Sequence, residues 1–444
     1  MFEIGRELKR FFAPSRPRDG FCLGDASLLE LLDLKMLGHE TRSADISAGR
    51  IGVTDRAQRL VEAAAVWREF ARRTGDPAAL RKAASCAEAA AGMGKGKGED
   101  AGRALCAQAN AALLAADLFG EPGLSAAAGF LVGQAPESLA TRATRARIAA
   151  REALASGDIL AVEQAAHGFD AVLAKTTGRG APNHGAAESH TQLRCDRAEF
   201  LLTCGGRLRE PGLIDWALAD LAKAAEGVDS AYHPLTAARI GELRGACLVR
   251  LGELGGDLTT ILDGLDALTA AIDLVTPEHS PLDYARLNHA YGLGLEALGE
   301  AGESEAAFDR ALKSFGKALT VLNATPNVAL RTIAVQDRAA CLVRRAEIRG
   351  DSFALDEAEA VMRGELANLR PGPDPVAWAV LQLNLARIYM AQAKARGCDR
   401  GEGARAGEAL SAALDVFAER GLRTLSAAAD CGLEELRTAA KSLS

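Results

Sequence analysis

Residues Arg244–Asp257, RGACLVRLGELGGD, come back at Arg338–Asp351 as RAACLVRRAEIRGD. Cys247 and Cys341 stand 94 positions apart, which is two units of 47, a length that belongs to helical-repeat arrays. Halfway between the two copies, Leu298, Gly299 and Glu300 repeat Leu251, Gly252 and Glu253, and one unit upstream Arg197 stands in register with Arg244. A chain built this way is a stack of similar units, each hiding its apolar face against its neighbours. The fold expected is all-α: a right-handed α-solenoid of antiparallel helix pairs.

Composition agrees. The hydrophobic fraction is 48%, yet aromatic residues make up only 5%, so Ala, Leu and Val carry the apolar content and let helices approach closely. A net charge of −7 argues against a nucleic-acid partner, because phosphate binding rests on clustered Lys and Arg. Nine cysteines without a C-x-x-C pair, several of them inside apolar helical pattern, suit reduced thiols. With no apolar run long enough for a bilayer and no signal-peptide pattern, the expected location is cytoplasmic.

Outward from the repeat, residues 1–53 read as an N-terminal amphipathic segment and capping helix, 54–421 as the array, and 422–444 as a closing helix. Ile4, Leu8, Phe11 and Phe12 form one apolar face flanked by Arg6, Lys9 and Arg10. That face suits an anionic membrane surface, a partner, or the chain's own first repeat. Leucines over 25–37 predict a buried helix, and 38–53 a polar connection. Gly75, Asp76 and Pro77 mark a helix stop, a cap and a helix start. The best-matched pairs are expected at 188–206 with 212–226, 234–254 with 257–275, 281–300 with 303–322, 327–349 with 351–369, and 375–396 with 402–419. Glycines and lysines over 92–100 lack Walker spacing and predict a solvated linker.

The unit at 281–322 resembles a tetratricopeptide repeat: Tyr284, Leu287 and Tyr291 have its W-x-x-L-x-x-x-Y spacing, and Ala311, Leu312, Phe315, Ala318 and Leu319 its second-helix pattern. Asn384, Leu385, Ala386 and Tyr389 are similar to the N-L-A-x-x-Y string of kinesin-light-chain-type repeats. The helices are longer than the family's, with Tyr291 to Ala311 and Tyr389 to Ala409 both spanning 20 positions. The resemblance implies a scaffold holding a peptide or helix in a groove lined by first helices.

Charge is segregated by helix. The segment 257–275 carries Asp257, Asp263, Asp266 and Asp273 without a base, whereas its partner carries Arg239, Arg244 and Arg250 against Glu242 and Glu253; the unit at 281–322 reverses the balance. A concave, partly basic groove follows, suited to an acidic peptide. The candidate partner-binding residues are Arg239, Arg286, Asn288, His289, Asn384 and Arg387, since Asn offers donor and acceptor and Arg takes a carboxylate bidentately. The competing reading of each is a solvated face or an inter-repeat salt bridge. Arg197, Arg244 and Arg338 form either a ladder in the groove or separate pairs with acids of neighbouring helices.

Catalysis is not indicated. His184, His190 and Cys195 match no zinc spacing, His279 and His289 have no triad-like partners, and no nucleotide fingerprint follows a strand. No cofactor or metal is expected. The reading is a non-enzymatic protein-interaction adaptor, with a sensor that takes a small ligand or signalling peptide in the groove as the alternative.

Overall fold

A computed structural model describes residues 26–50, 55–93, 99–121, 123–176, 185–325, 328–349, 352–368, 375–419 and 423–442. The amphipathic face of Ile4, Leu8, Phe11 and Phe12 lies outside these residues, as does His184. A short 3-10 helix, Ala26–Leu31, precedes α1 (Leu34–Gly49), α2 (Arg56–Thr74), α3 (Pro77–Met93), α4 (Glu99–Phe119), α5 (Gly123–Gln134), α6 (Leu139–Ser156) and α7 (Ile159–Thr176). There follow α8 (Gly185–Leu208), α9 (Pro211–Ala225), α10 (Pro234–Gly255), α11 (Leu258–Ile272), α12 (Pro281–Gly302) and α13 (Glu305–Leu322). The last are α14 (Ala329–Arg349), α15 (Ser352–Asn368), α16 (Pro375–Arg396), α17 (Glu402–Glu419) and α18 (Arg423–Ser442). No strand occurs among the described residues. Consecutive helices pack as hairpins, and the fold is an all-α stack of tetratricopeptide-like helix pairs.

The recurrence of glycine at 205, 252 and 299, 47 positions apart, has a local cause. In α8, α10 and α12 the carbonyls of Gly205, Gly252 and Gly299 accept from the N–H groups of Glu210, Asp257 and Ser304 at 2.9, 2.9 and 3.0 Å. The residue before each of these donors is left-handed: Arg209 at φ 57°, Gly256 at 68° and Glu303 at 46°. This bond, from a residue beyond the helix end to one five positions back, is the Schellman closure that satisfies a terminal carbonyl. It turns the chain so sharply that the next helix lies on the glycine itself. A β-carbon on Gly252 would fall 2.5 Å from Ile261 Cγ1, one on Gly205 2.6 Å from Ile214 Cγ1, and one on Gly299 2.8 Å from the Phe308 ring. The repeated L-G-E is therefore the signature of a hairpin turn.

One expectation fails. Residues 34–49 form α1, not a polar connection, and 26–31 are a short 3-10 turn, not the start of a long helix. Asp33 caps α1 by accepting from Met36 N–H at 2.7 Å. Leu37, Thr41 and Ala48 form its buried stripe, while Asp45 accepts from Trp67 Nε1 at 3.2 Å. A narrow stripe among polar residues carries a weak period, which is why the segment reads as a loop.

The chain divides into two compact units, Met1–Cys247 with Ala270–Tyr284, and Leu248–Thr269 with Ala285–Ser444. In the first unit the core is small-residue packing, as in the cluster of Ala63, Ala64, Cys86 and Ala87. First helices of successive pairs touch one another, α2 to α4, α4 to α6 and α6 to α8, and no contact of that extent joins successive second helices among the described residues. The first helices therefore make the inner wall of that unit's stack. The second unit packs larger residues: Val249, Ile261, Leu295, Phe308 and Phe315 in one cluster, and Leu355, Ile388, Tyr389 and Phe417 in another. Ala311, Phe315 and Ala318, three of the five motif positions of the second helix, are fully buried, and Leu312 and Leu319 are half-buried.

Within the first unit, the beginning of the chain is tied to residues more than 200 positions away. Glu30, 6% exposed, accepts from Thr236 N–H at 2.8 Å and from the Thr236 hydroxyl, so its carboxylate serves the open N-terminus of α10. His279 Nε2 donates to the Glu30 carbonyl at 2.6 Å. Arg72 Nη1 bridges both carboxylate oxygens of Asp283 at 2.9 and 2.8 Å. Arg73, with no exposed surface, donates to the carbonyls of Leu32 and Leu29 and to Glu69 at 2.8, 2.6 and 2.6 Å.

Candidate partner-binding walls

The inner wall of the first unit is a set of paired charges. Asp196 on α8 accepts from Arg147 on α6 at 2.6 Å and from Arg239 on α10 at 2.9 Å, and Arg239 also reaches Glu199 at 2.8 Å. Arg151 on α6 pairs with Asp117 on α4 at 2.6 Å. Burial alone would push Asp196 up, but Arg147 and Arg239 outweigh it and hold the carboxyl at about 2. Glu69 behaves likewise: burial is overcome by Arg72 and Arg73, and the group falls to about 2. Arg239, a candidate partner contact, is thus engaged by two acids. The three arginines named here, Arg147, Arg151 and Arg239, are each held by an acid.

Arg68 is the exception. It lies on α2 with no hydrogen bond or ion pair among the described residues, and its guanidinium is pushed below the ordinary arginine value by burial and by Arg147, with Arg72 adding to the effect. Arg68 and Asn110 line a recess of about 200 Å³ with Val61, Ala64, Ala65, Arg103, Cys106, Ala107 and Ala140.

Arg197 settles one open alternative. It bridges Asp220 on α9 at 2.6 and 2.8 Å, reaches Asp170 on α7 at 2.5 Å, and lies 5.3 Å from the Trp216 ring. Arg338 approaches Glu357 at 3.8 Å, whereas Arg244 is exposed. The recurring arginine pairs with neighbouring acids at two of its three positions and forms no ladder.

In the second unit, His289 is 8% exposed; its Nε2 lies 2.7 Å from Asp337 and its ring 5.7 Å from Phe315. Asn288 is 1% exposed and its carbonyl accepts from Ser314 at 2.8 Å. Arg286 is half-buried and has a partner. On α16, by contrast, Asn384 is half-buried and Arg387 exposed; they stand one turn apart, with no hydrogen bond or ion pair among the described residues. Arg239 belongs to the first unit; Arg286, Asn288 and His289 lie on α12, and Asn384 and Arg387 on α16. A recess of about 170 Å³ lies between α13, α14 and α15, but there Arg331 already makes a fork to Glu365 at 2.9 and 3.0 Å.

Glu296 stands among Glu253, Glu300 and Asp337. Burial first, and then Asp337 and Glu300, push its carboxyl up to about 8. The motif tyrosines are packing residues with occupied hydroxyls: Tyr291 accepts from Arg310 at 2.7 Å, and Tyr389 from Arg363 at 3.0 Å. Among the described residues no group of three His, Cys, Asp or Glu side chains is arranged to hold a metal. Burial pushes the Cys195 and Cys247 thiols up to about 12, the reverse of an activated nucleophile. No described helix is long and apolar enough to cross a membrane.

No family model matches the chain, and no curated protein matches it. Solved structures do. Aspartyl phosphate phosphatase F from Bacillus subtilis aligns over 88% of this chain and 95% of its own, with 12% identity and a TM-score of 0.40. A signal-transduction ATPase with a tetratricopeptide-repeat sensor, from Pyrococcus horikoshii, aligns over 89% of this chain and 55% of its own, with 12% identity and a TM-score of 0.44. A circular tandem repeat protein aligns over 91% and 88%, with 15% identity and a TM-score of 0.25. Likeness of this degree carries no inference about activity; the fold is read from the chain's own helix pairs.

Proposed function

We propose that the protein is a non-enzymatic scaffold whose first-helix walls capture a segment of a partner protein. The observation that carries this reading is the pair Asn384 and Arg387 on α16. Many of the described arginines are tied to acids, whereas these two polar side chains stand together on a first helix with no hydrogen bond or ion pair among the described residues. Asn384 offers a donor and an acceptor to a peptide backbone, and Arg387 a fork to a carboxylate. Arg239, Asn288 and His289 hold neighbouring helices together, and their part in capture is to set the wall's shape.

The double variant Asn384→Ala/Arg387→Ala tests this. Partner recovery from native lysate should fall at least tenfold, with the melting temperature within about 1 °C of the parent, since exposed polar truncations away from special features change stability by less than ~0.5 kcal/mol. Unaltered recovery would remove these residues from the contact, and a large fall in melting temperature would place them in structure.

A second reading is favoured by the recess at Arg68. There the wall admits a small ligand, which fits a sensor better than a passive adaptor.

A further inference from the structure

Two helix faces, each eight residues long, meet in the first unit. On α2, Val61, Ala64, Ala65 and Arg68 follow the i, i+3, i+4, i+7 spacing of one helix face, and on α4 Arg103, Cys106, Ala107 and Asn110 do the same. The two helices touch, and Ala140 at the start of α6 joins the lining. Small side chains over this length leave a trough roughly 10 Å long, at 1.5 Å of rise per residue. Arg68 and Asn110 each close the C-terminal end of their face.

Neither of these two side chains has a hydrogen bond or ion pair among the described residues. Arg68 is beside Arg72 and Arg147, whose charges are occupied by Asp283, Glu69 and Asp196. The one acid next to it, Glu69, receives Arg72 Nε at 2.8 Å and Arg73 Nε at 2.6 Å. Arg68 is repelled by Arg147 and Arg72, and the acid that offsets them, Glu69, spends its hydrogen bonds on two other arginines. A structural arginine in such a crowded place is ordinarily satisfied, as Arg73 one turn on shows.

We infer that the recess between α2, α4 and the start of α6 is a binding site for a carboxylate carried on a short aliphatic stem, with Arg68 taking the carboxylate as a fork and Asn110 donating to it. Val61, Ala64, Ala65 and Ala107 supply the apolar sides for the stem. The volume, about 200 Å³, is below the ~300 Å³ where sites for drug-sized ligands begin, which excludes a nucleotide or a large cofactor. The ligand is a free short-chain acid or an acidic side chain of a bound segment, and both offer the same chemistry. The recess belongs to the first unit and α16 to the second, and the assignment does not depend on the contacts proposed there.

Calorimetric titration of the full chain with hexanoate, with a capped Ala-Glu-Ala peptide, with hexanamide and with inorganic phosphate tests the assignment. Saturable millimolar binding of hexanoate or of the peptide is expected, and which of the two binds tighter identifies the source. Hexanamide should bind at least ~10-fold more weakly, and Arg68→Gln should lose ~10-fold or more of the affinity, as removal of a bidentate charged contact does. Arg68→Lys, which keeps the charge but not the fork, should lose severalfold. Arg68→Gln should also melt at or above the parent temperature, because it relieves repulsion from Arg72 and Arg147. Equal binding of phosphate and hexanoate, unaltered affinity in Arg68→Gln, absence of binding by every probe, or a lowered melting temperature in both Arg68 variants would overturn the assignment.

Discussion

Replacing Gly252 by alanine should destabilise the second unit, although alanine is the better helix former. A β-carbon there would meet Ile261 Cγ1 at 2.5 Å, the Asp257 carbonyl oxygen at 2.8 Å and Ile261 N at 2.9 Å. Two of these three atoms are backbone, so no rotamer change relieves the overlap and the α10–α11 hairpin must open. Overpacking of this kind costs about 1–3 kcal/mol, and more where backbone must move. The gain in helix propensity returns about 1 kcal/mol. A net loss of about 1–2 kcal/mol remains, worth several degrees of melting temperature for a unit of this size. Gly364, within α15, supplies the control: a β-carbon there meets nothing within 4 Å, so Gly364→Ala should gain up to ~1 kcal/mol. Urea unfolding followed by circular dichroism measures both. The opposite signs are the content of the prediction, and a Gly252→Ala protein as stable as Gly364→Ala would refute the close-approach account of the 47-residue turn.

Two further outcomes follow from buried charge. Glu296 holds its proton to about pH 8 in the folded state, against an ordinary value of 4.5, so between those limits the folded protein binds a proton that the unfolded chain has released. Stability from this group therefore falls as pH rises from about 4.5 to 8 and is level outside that window. The displacement corresponds to a ceiling of about 5 kcal/mol, and partial exposure reduces the expected effect to ~1–2 kcal/mol. Glu296→Gln should be more stable than the parent by that amount at pH 9 and equal to it near pH 4; parallel stability curves across the range would refute this. Arg73→Met removes a donor from the buried carbonyls of Leu29 and Leu32 and from Glu69. A loss of about 2–4 kcal/mol is expected by chemical denaturation, and a neutral result would show that these carbonyls find water.

The parts of the fold legible in the sequence were those fixed by neighbouring residues. Gly75 and Pro77, Pro234, Pro281 and Pro375 mark helix ends through backbone geometry alone, and the structure places ends at each. α1 escaped because its few buried residues, Leu37, Thr41 and Ala48, are spaced among charges and a mid-helix glycine. The candidate site was less legible. Whether an arginine is available depends on acids in other helices: Asp196, 43 positions from Arg239, decides the state of Arg239, and nothing local to either residue reveals the pairing. Arg68 did leave a local signal, a helix face of small residues ending in a lone base, matched on α4 by a second such face ending in Asn110.

The bonds from Glu30 and Arg72 have a consequence for how the chain is made. In an open array each unit can fold against the one before it as it leaves the ribosome. Here the capping carboxylate of Glu30 has nothing to cap until Thr236 has emerged, and Arg72 waits for Asp283. The first hairpins must persist half-finished through about ten further seconds or more of synthesis, at 5–20 residues per second. Inserting or deleting one helix pair between them, harmless in a linear array, would leave both ends of that clasp without a mate.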